Sequence, residues 1–344
     1  MTETTIQFLE NHIKSLLFIP IVAMNGTLAV IETVQRYLHH DKQEIVGIVS
    51  KVNVAPIRTT KMLSVESWDV TTVGLKHNKR LAVYVKNPEI ARLYGNTKLG
   101  SKLTSISCTF TDPSCEKMCI SCQGHDDLIL CLREIVSGER IFGLKFNDDL
   151  LSDDREYINA GEEAGNWMTA VLGGQPVTLL YVPDRKLSGE HNFPVYRAPN
   201  KKPAAIPPVL ITSVSTLDRM NAEAGTAVEM ERFRPSVVVT GCEAGAENLW
   251  KVVRIGDQLE LEQTFMSPRC GVINAFKGEM DTKVYDTVFK HGPFRDTRNR
   301  ACFGSYWKVL RPGKVKVGDE IVVLKSVDRE LTGPYVLSDE FILG

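Results

Sequence analysis

The chain has 344 residues, enough for two domains and a substantial core. Its 41 basic and 42 acidic residues leave a net charge of −1, so no overall field draws it to nucleic acid. An apolar content of 43% is ordinary for a folded domain, and 8 irregularly spaced cysteines fit a reducing compartment better than a secreted disulfide scaffold.

In chain order, the first informative stretch is Ser15 to Ile31, SLLFIPIVAMNGTLAVI, which carries no charge. It sits at the lower limit of the ~17–25 residues a membrane helix needs. Pro20, Asn25 and Gly26 weaken it, although proline and glycine are tolerated in membrane helices. It is either a signal anchor or an apolar helix packed on the rest of the chain. Basic residues are sparser before it (Lys14) than after it (Arg36, Lys42, Lys51). That bias favours an anchor, with the main domain on the cytosolic side. The polar lead lacks the arginine-rich character of a transit peptide. Residues 1–45 are therefore expected to be a hydrophobic anchor and a linker.

From Ile45 the pattern turns to strands: IVGIVSKVNVAPI, then alternation over Ser64–Val70, then Leu81–Val85. A small β-rich domain over residues 46–182 is predicted. Within it, Cys108, Cys115, Cys119, Cys122 and Cys131 crowd together. Short spacings of this kind allow an iron–sulfur or zinc site. Lys117–Gln123, a turn at Gly124–Asp127, and Leu128–Leu132 read instead as a β-hairpin. Cys119 and Cys122, an odd number apart on a strand, would then face opposite sides of the sheet. Structural cysteines are the favoured reading. Gly161–Gly174 reads as an amphipathic helix with Trp167, Val171 and Leu172 buried, followed by a strand over Pro176–Val182.

Residues 183–208 carry six prolines and are expected to be an irregular connection, with His191 and Tyr196 as solvated loop residues. A second domain over 209–344 opens with the strand Val209–Ile211 and a helix capped at Ser215-Thr-Leu-Asp218. Arg232 and Arg234 precede the apolar strand Val237–Thr240. Trp250, a turn at Ile255-Gly-Asp257 and Ser267-Pro-Arg-Cys270 follow. Gly278 to Arg300 shows no period and is expected to be a lid or, by default, a surface loop. Tyr306–Leu310 and Val315–Leu324 are predicted strands at a barrel edge.

The stretch Arg232–Cys270 suits an anionic, thiophilic ligand. Arg234 and Arg269 each offer a planar fork of donors to oxyanions. Cys270 beside a fixed positive charge favours the thiolate, the metal-binding form. On the residues alone, a buried cysteine beside a surface arginine remains the plain alternative.

Phe233-Arg-Pro-Ser236, Gly241-Cys-Glu243, Trp250, Ile255-Gly-Asp257, Pro268-Arg-Cys270, Phe303-Gly-Ser-Tyr306 and Gly313–Asp319 occur in an order that resembles the MOSC domain. That module is related to the C-terminal part of molybdenum-cofactor sulfurases. Over residues 46–344 the chain is similar to the amidoxime-reducing-component family. The resemblance implies a mixed α/β, β-rich fold, with an N-terminal MOSC-type β domain ahead of a MOSC β-barrel. It also implies a molybdenum–molybdopterin cofactor with Cys270 as the metal ligand. Arg58, Thr59, Arg80, Arg234, Ser236 and Arg269 would bind that cofactor.

The implied reaction is reduction of N-hydroxylated compounds. Electrons would come from a b-type cytochrome and its NADH-dependent flavin reductase, since no dinucleotide fingerprint is present here. The implied location is the mitochondrial outer membrane, facing the cytosol, with the cytoplasm as the alternative. Nitrate reduction and pyridoxal phosphate binding are further properties the resemblance implies. A non-catalytic carrier of sulfur or of the molybdenum cofactor is the alternative function. Three positions depart from the family pattern. Lys79 reverses the sign of an acidic residue, Ser236 stands where asparagine is frequent, and Pro268 stands where serine is frequent. Pro268 also removes a backbone donor.

Overall fold

Seven strands of the computed structural model close into a barrel. The structure describes residues 44–85, 97–142, 156–183, 208–295, 299–326 and 335–336. The apolar segment 15–31, the linker before residue 44 and most of the proline-rich connection, with His191 and Tyr196, lie outside these described residues. Residues 45–344 form one compact unit.

The barrel strands are β1 (Ile45–Val54), β2 (Val209–Ser213), β3 (Val237–Thr240), β4 (Trp250–Ile255), β5 (Leu259–Pro268), β6 (Ala301–Arg311) and β7 (Glu320–Ser326). Around the wall they run β2-β3-β1-β7-β4-β5-β6, and β6 pairs with β2 to close the ring. The alternation that makes these strands is plain in β5. Leu259, Leu261 and Gln263 point inward and are buried. Glu260 and Glu262 point outward, where they pair with Arg311 and Lys308 across the strand. Val52, Val239, Val253, Leu261, Trp307 and Ile321 fill the interior. Each such side chain contributes roughly 1.5–3 kcal/mol on burial. Trp307 satisfies its ring nitrogen on the Ser305 hydroxyl at 2.9 Å.

All wall pairings are antiparallel except β2–β3. A parallel neighbour requires a crossover, and the helix Val214–Ala224 supplies it. That helix is capped by Ser213, whose hydroxyl accepts from the Thr216 amide, two residues earlier than the predicted cap. Its end is Gly225 in the left-handed region.

The closure has a strict requirement at Gly304. Its φ is +72°, and a Cβ there would lie 2.6 Å from the Ile211 carbonyl oxygen. The strands predicted at a barrel edge thus lie in the wall: β6 sits between β5 and β2, and β7 between β1 and β4. A closed ring leaves no edge for them to occupy.

Although β1 lies within the barrel wall, residues 81–182 build separate layers. Leu81–Val85, Val177–Tyr181, Tyr157–Asn159 and Arg140–Ile141 form a four-stranded sheet. Ser107–Phe110, Lys117–Ser121 and Leu128–Cys131 form a three-stranded one. The predicted cysteine hairpin is therefore present, with Cys119 opposite Ile129. Cys108 lies in its buried face, where burial pushes the thiol up to about 12. Ile106, Met118, Ile120, Met168 and Leu179 share that core.

The helix Glu162–Val171 covers it with Ala164, Gly165, Met168 and Val171. Trp167, expected on the buried face, is only part-buried. Its ring nitrogen donates to the Asp126 carbonyl at 2.6 Å and pins the hairpin turn. An indole N–H needs an acceptor, which draws the ring to the rim.

The segment Gly278–Arg300 is another correction. It contains a helix, Lys283–His291, with Val284 and Val288 buried one turn apart. Dense charge on the other face hid the period. This helix, the crossover helix and the outside of the barrel share a core in which Phe233 stacks on Phe303, ring centroids 4.0 Å apart.

Candidate functional site

Where β1 leaves the barrel, the chain is stitched to the neighbouring sheet by main-chain bonds. The Lys79 amide donates to Ala55 O at 2.7 Å, and Arg58 and Leu81 exchange bonds with Leu81 and Pro56 carbonyls at 2.8 and 2.9 Å. The Thr60 hydroxyl donates back to Ile57 O. From the barrel side, the Asn53 amide donates to Ser236 O at 2.8 Å, and its side chain to Pro235 O. The guanidinium of Arg234 crosses to the Thr60 carbonyl at 2.6 Å. Thr59, Lys79 and Arg234, all non-glycine, sit in the left-handed region at φ 71°, 56° and 58°. Each costs on the order of 1–3 kcal/mol and survives only where surrounding bonds dictate it.

These bonds bring cations together. Lys79 and Arg234 are walled in by protein yet keep part of their surface open to solvent. Burial, then the like charges of Arg234, Arg58 and Arg269, lower the Lys79 ammonium to about 7. Burial lowers Arg234 to about 10. Arg58 is itself buried. A cleft of about 420 Å³ opens at Arg234, with Lys61, Met62, Ser64, Thr104, Arg232, Val272 and Lys277 among its walls. A second cavity of about 250 Å³ shares Glu229, Arg232, Phe276 and Lys277 with it. Arg232 and Lys277 lie over the Phe276 ring at 4.8 and 5.0 Å. Glu229 is engaged by Arg232 at 2.5 Å and Glu231 by Lys51 at 3.0 Å, so both carboxylates already hold counter-ions.

The predicted site residues divide by what they do. Arg58 and Arg234 join the enclosed cations around Lys79, while Thr59 is half-buried on the connecting turn. Arg80 follows Lys79, and its carbonyl accepts from Val182. Arg269 adds its charge to the cluster but spends donors internally. Its Nε donates to Phe303 O at 3.0 Å and its Nη1 to Phe233 O at 2.9 Å, with the guanidinium over the Phe233 ring. Ser236 is fully buried, its hydroxyl accepting from the Leu210 amide. Cys270 is exposed at the start of a short turn, Gly271–Asn274. It stands between Arg269, which acts on the cation cluster, and Val272, which lines the cleft.

Sequence reasoning passed over Arg232, Phe276 and Lys277 as site residues. The only local signal was the Arg232-Phe-Arg234 triplet, because Phe276 and Lys277 reach the cleft through the fold alone. Enclosed cations, one of them Arg269 next to the exposed Cys270 in the chain, and an open cleft at Arg234 fit an anionic group joined to a thiophilic metal.

The MOSC domain profile matches residues 204–322. That segment of the chain is similar to the MOSC domain. The chain resembles the mitochondrial amidoxime-reducing components. Mitochondrial amidoxime reducing component 2 of Bos taurus is 26% identical over 298 residues, covering 80% of this chain and 83% of that one. The Rattus norvegicus component 2 is 28% identical over 298 residues with the same coverage. Component 1 of Homo sapiens is 26% identical over 296 residues, 81% and 83% of the two chains. Among solved structures, a YUAD protein from Bacillus subtilis overlaps 80% of this chain and 94% of that one, with TM-score 0.36 and 10% identity. None of these names speaks to nitrate reduction or to pyridoxal phosphate. Among the described residues, no helix is long and apolar enough to cross a membrane.

Proposed function

We propose that this protein is a molybdenum-cofactor-dependent oxidoreductase that reduces N-hydroxylated compounds, such as amidoximes and hydroxylamines, to amidines or amines. The observation that carries the reading is a group of enclosed cations that includes Arg269, the chain neighbour of the exposed Cys270. When bound, the cofactor would supply two-electron redox chemistry. The chain's residues do the rest. Arg58, Thr59, Arg80 and Arg234 hold the phosphate of the pterin. Arg269 adds its charge, and the hydrogen bond from its main-chain N–H to Ala301 O at 2.7 Å holds the backbone next to Cys270. Ser236 braces β3 against β2. Cys270 would ligate the metal, and the cleft walls would orient the substrate and limit water.

Electrons reach the site from a b-type cytochrome served by an NADH-dependent flavin reductase. Residues 15–31 anchor the protein in the mitochondrial outer membrane, with the catalytic part toward the cytosol. Division into residues 46–182 and 209–344 belongs to the same proposal. A cofactor carrier is the second reading. It draws on Ser236 facing Leu210 rather than a ligand, and on Pro268 lacking a donor.

Metal analysis of protein from a cofactor-competent host, beside an amidoxime-reduction assay, separates them. Near-stoichiometric molybdenum with turnover supports the enzyme. Molybdenum without turnover, together with transfer to a second apoprotein, supports the carrier. Absence of molybdenum sinks both.

A further inference from the structure

Arg232 lies in the wall common to the two cavities, together with Glu229, Phe276 and Lys277. Its side chain is only 10% exposed. Three bonds hold the guanidinium in place. Nε donates to the Glu229 carboxylate at 2.5 Å, and Nη1 donates to the carbonyls of Ile273 and Asn274 at 3.4 and 3.2 Å. Nη2 has no hydrogen-bond acceptor among the described residues. Lys277 joins Arg232 at the same aromatic ring, since the two cationic centres lie 5.0 and 4.8 Å from the centroid of Phe276. Lys277 and Gly278, at φ 51° and 86°, form the two-residue turn between the paired strands Ala275–Phe276 and Glu279–Met280. Such a turn prefers asparagine or glycine at its first position, so a lysine there is held at a cost in backbone strain. The Gly278 amide donates to the Thr104 hydroxyl at 3.0 Å and ties down the tip.

The charges on this wall do not cancel. Glu229 offsets Arg232, and Glu231 is taken by Lys51, which leaves the Lys277 ammonium in excess. Met62, Val272 and Ala275 give the same cleft an apolar lining. A fixed guanidinium nitrogen, one surplus positive charge and an apolar surface together complement a singly charged acid on an apolar body. We propose that Arg232 and Lys277 form a carboxylate subsite of the cleft, which selects N-hydroxylated substrates that carry a carboxylate on an apolar body. The carboxylate accepts from Arg232 Nη2 and from the Lys277 ammonium. The inference rests on the reductase reading above and names the class of substrate. It uses residues other than those given to the cofactor.

The test compares two isosteric probes, para-carboxybenzamidoxime and its neutral analogue para-carbamoylbenzamidoxime. Each is titrated calorimetrically into the full-length protein without electron donor, at low and fixed ionic strength. Wild type should bind the acid about fivefold or more tightly than the amide, and added salt should shrink that ratio, because Lys277 stands at an exposed rim. Lys277→Asn should bring the ratio below about twofold and Lys277→Glu should invert it. Asparagine suits the left-handed backbone better than lysine, so Lys277→Asn should melt no lower than wild type. Arg232→Gln should also erase the ratio. Arg232 additionally holds the carbonyls of Ile273 and Asn274, so the stable Lys277 variants carry the decision. With electron donor present, the ratio of kcat/KM for the two probes should follow the ratio of their affinities.

Equal affinity of wild type for the two probes, or a preference for the acid that survives in Lys277→Asn, would overturn the proposal. Binding without electron donor keeps the two claims apart. Protein that neither holds molybdenum nor turns over amidoximes, yet prefers the acid through Lys277, retains the carboxylate subsite and loses the reductase reading. Protein that reduces both probes with no preference retains the reductase reading and loses the subsite.

Discussion

The Arg234 guanidinium donates to the Thr60 carbonyl at 2.6 Å, joining the turn before β3 to the segment that leaves β1. The bond ties together residues 174 positions apart, from two of the chain's layers. It also fixes a cation at the floor of the cleft. One side chain thus serves architecture and charge together, and its removal should show both effects.

Arg234→Ala should lower cofactor occupancy, with activity per molybdenum atom retained. A charge-assisted hydrogen bond of this kind contributes on the order of 1.5–3 kcal/mol. Molybdenum content, activity and the denaturant midpoint, measured on one preparation, check the pattern. Full occupancy in the variant would contradict it.

Cys270→Ser should abolish amidoxime reduction while leaving the fold intact. The side chain is exposed, so the stability change should stay within about 0.5 kcal/mol. A serine hydroxyl is a harder donor and does not ionise readily at neutral pH. Turnover per molybdenum equal to wild type would remove Cys270 from the metal.

Glu247 supplies a pH dependence away from the cleft. It is fully buried, and its carboxyl is pushed up to about 7 by burial, against two bonds from the Thr216 hydroxyl at 2.8 and 2.9 Å. Its ordinary value is 4.5. A raised folded value means that the native state holds the proton more tightly. The contribution is therefore complete below about 4.5 and lost as pH rises through about 7. Glu247→Gln keeps the shape and cannot ionise. Across that window the wild type should lose on the order of 3 kcal/mol relative to the variant. Paired urea titrations at several pH values would reveal it, and parallel curves would refute it.

Gly304→Ala tests the barrel closure. The added methyl group meets the Ile211 carbonyl oxygen and Thr212 Cγ2, both at 2.6 Å, on a backbone in the left-handed region. A cost of roughly 2–4 kcal/mol is expected from overpacking and strain together. A thermal melt within a degree of wild type would show that β2 and β6 are not held in this register.

Local physics was readable without the fold. The strand from Ile45, the strand Val237–Thr240 and the cysteine hairpin each follow from neighbours on one strand or across one turn. Where the local pattern was masked, reading failed. Charge around Val284 and Val288 concealed the helix Lys283–His291, and the indole of Trp167 was placed by an acceptor 41 residues away.

Residue identity also marked Arg234, Arg269 and Cys270 as candidates, because guanidinium and thiol chemistry belong to the side chain itself, whereas Arg58 came from the family resemblance. What those groups face is another matter. Nothing near Arg269 in the chain reveals that its fork is occupied by the carbonyls of Phe233 and Phe303. Lys79 looked like a change of sign beside Arg80. Only the fold encloses it among Arg58, Arg234 and Arg269, because desolvation and Coulomb repulsion depend on distances that ring closure sets.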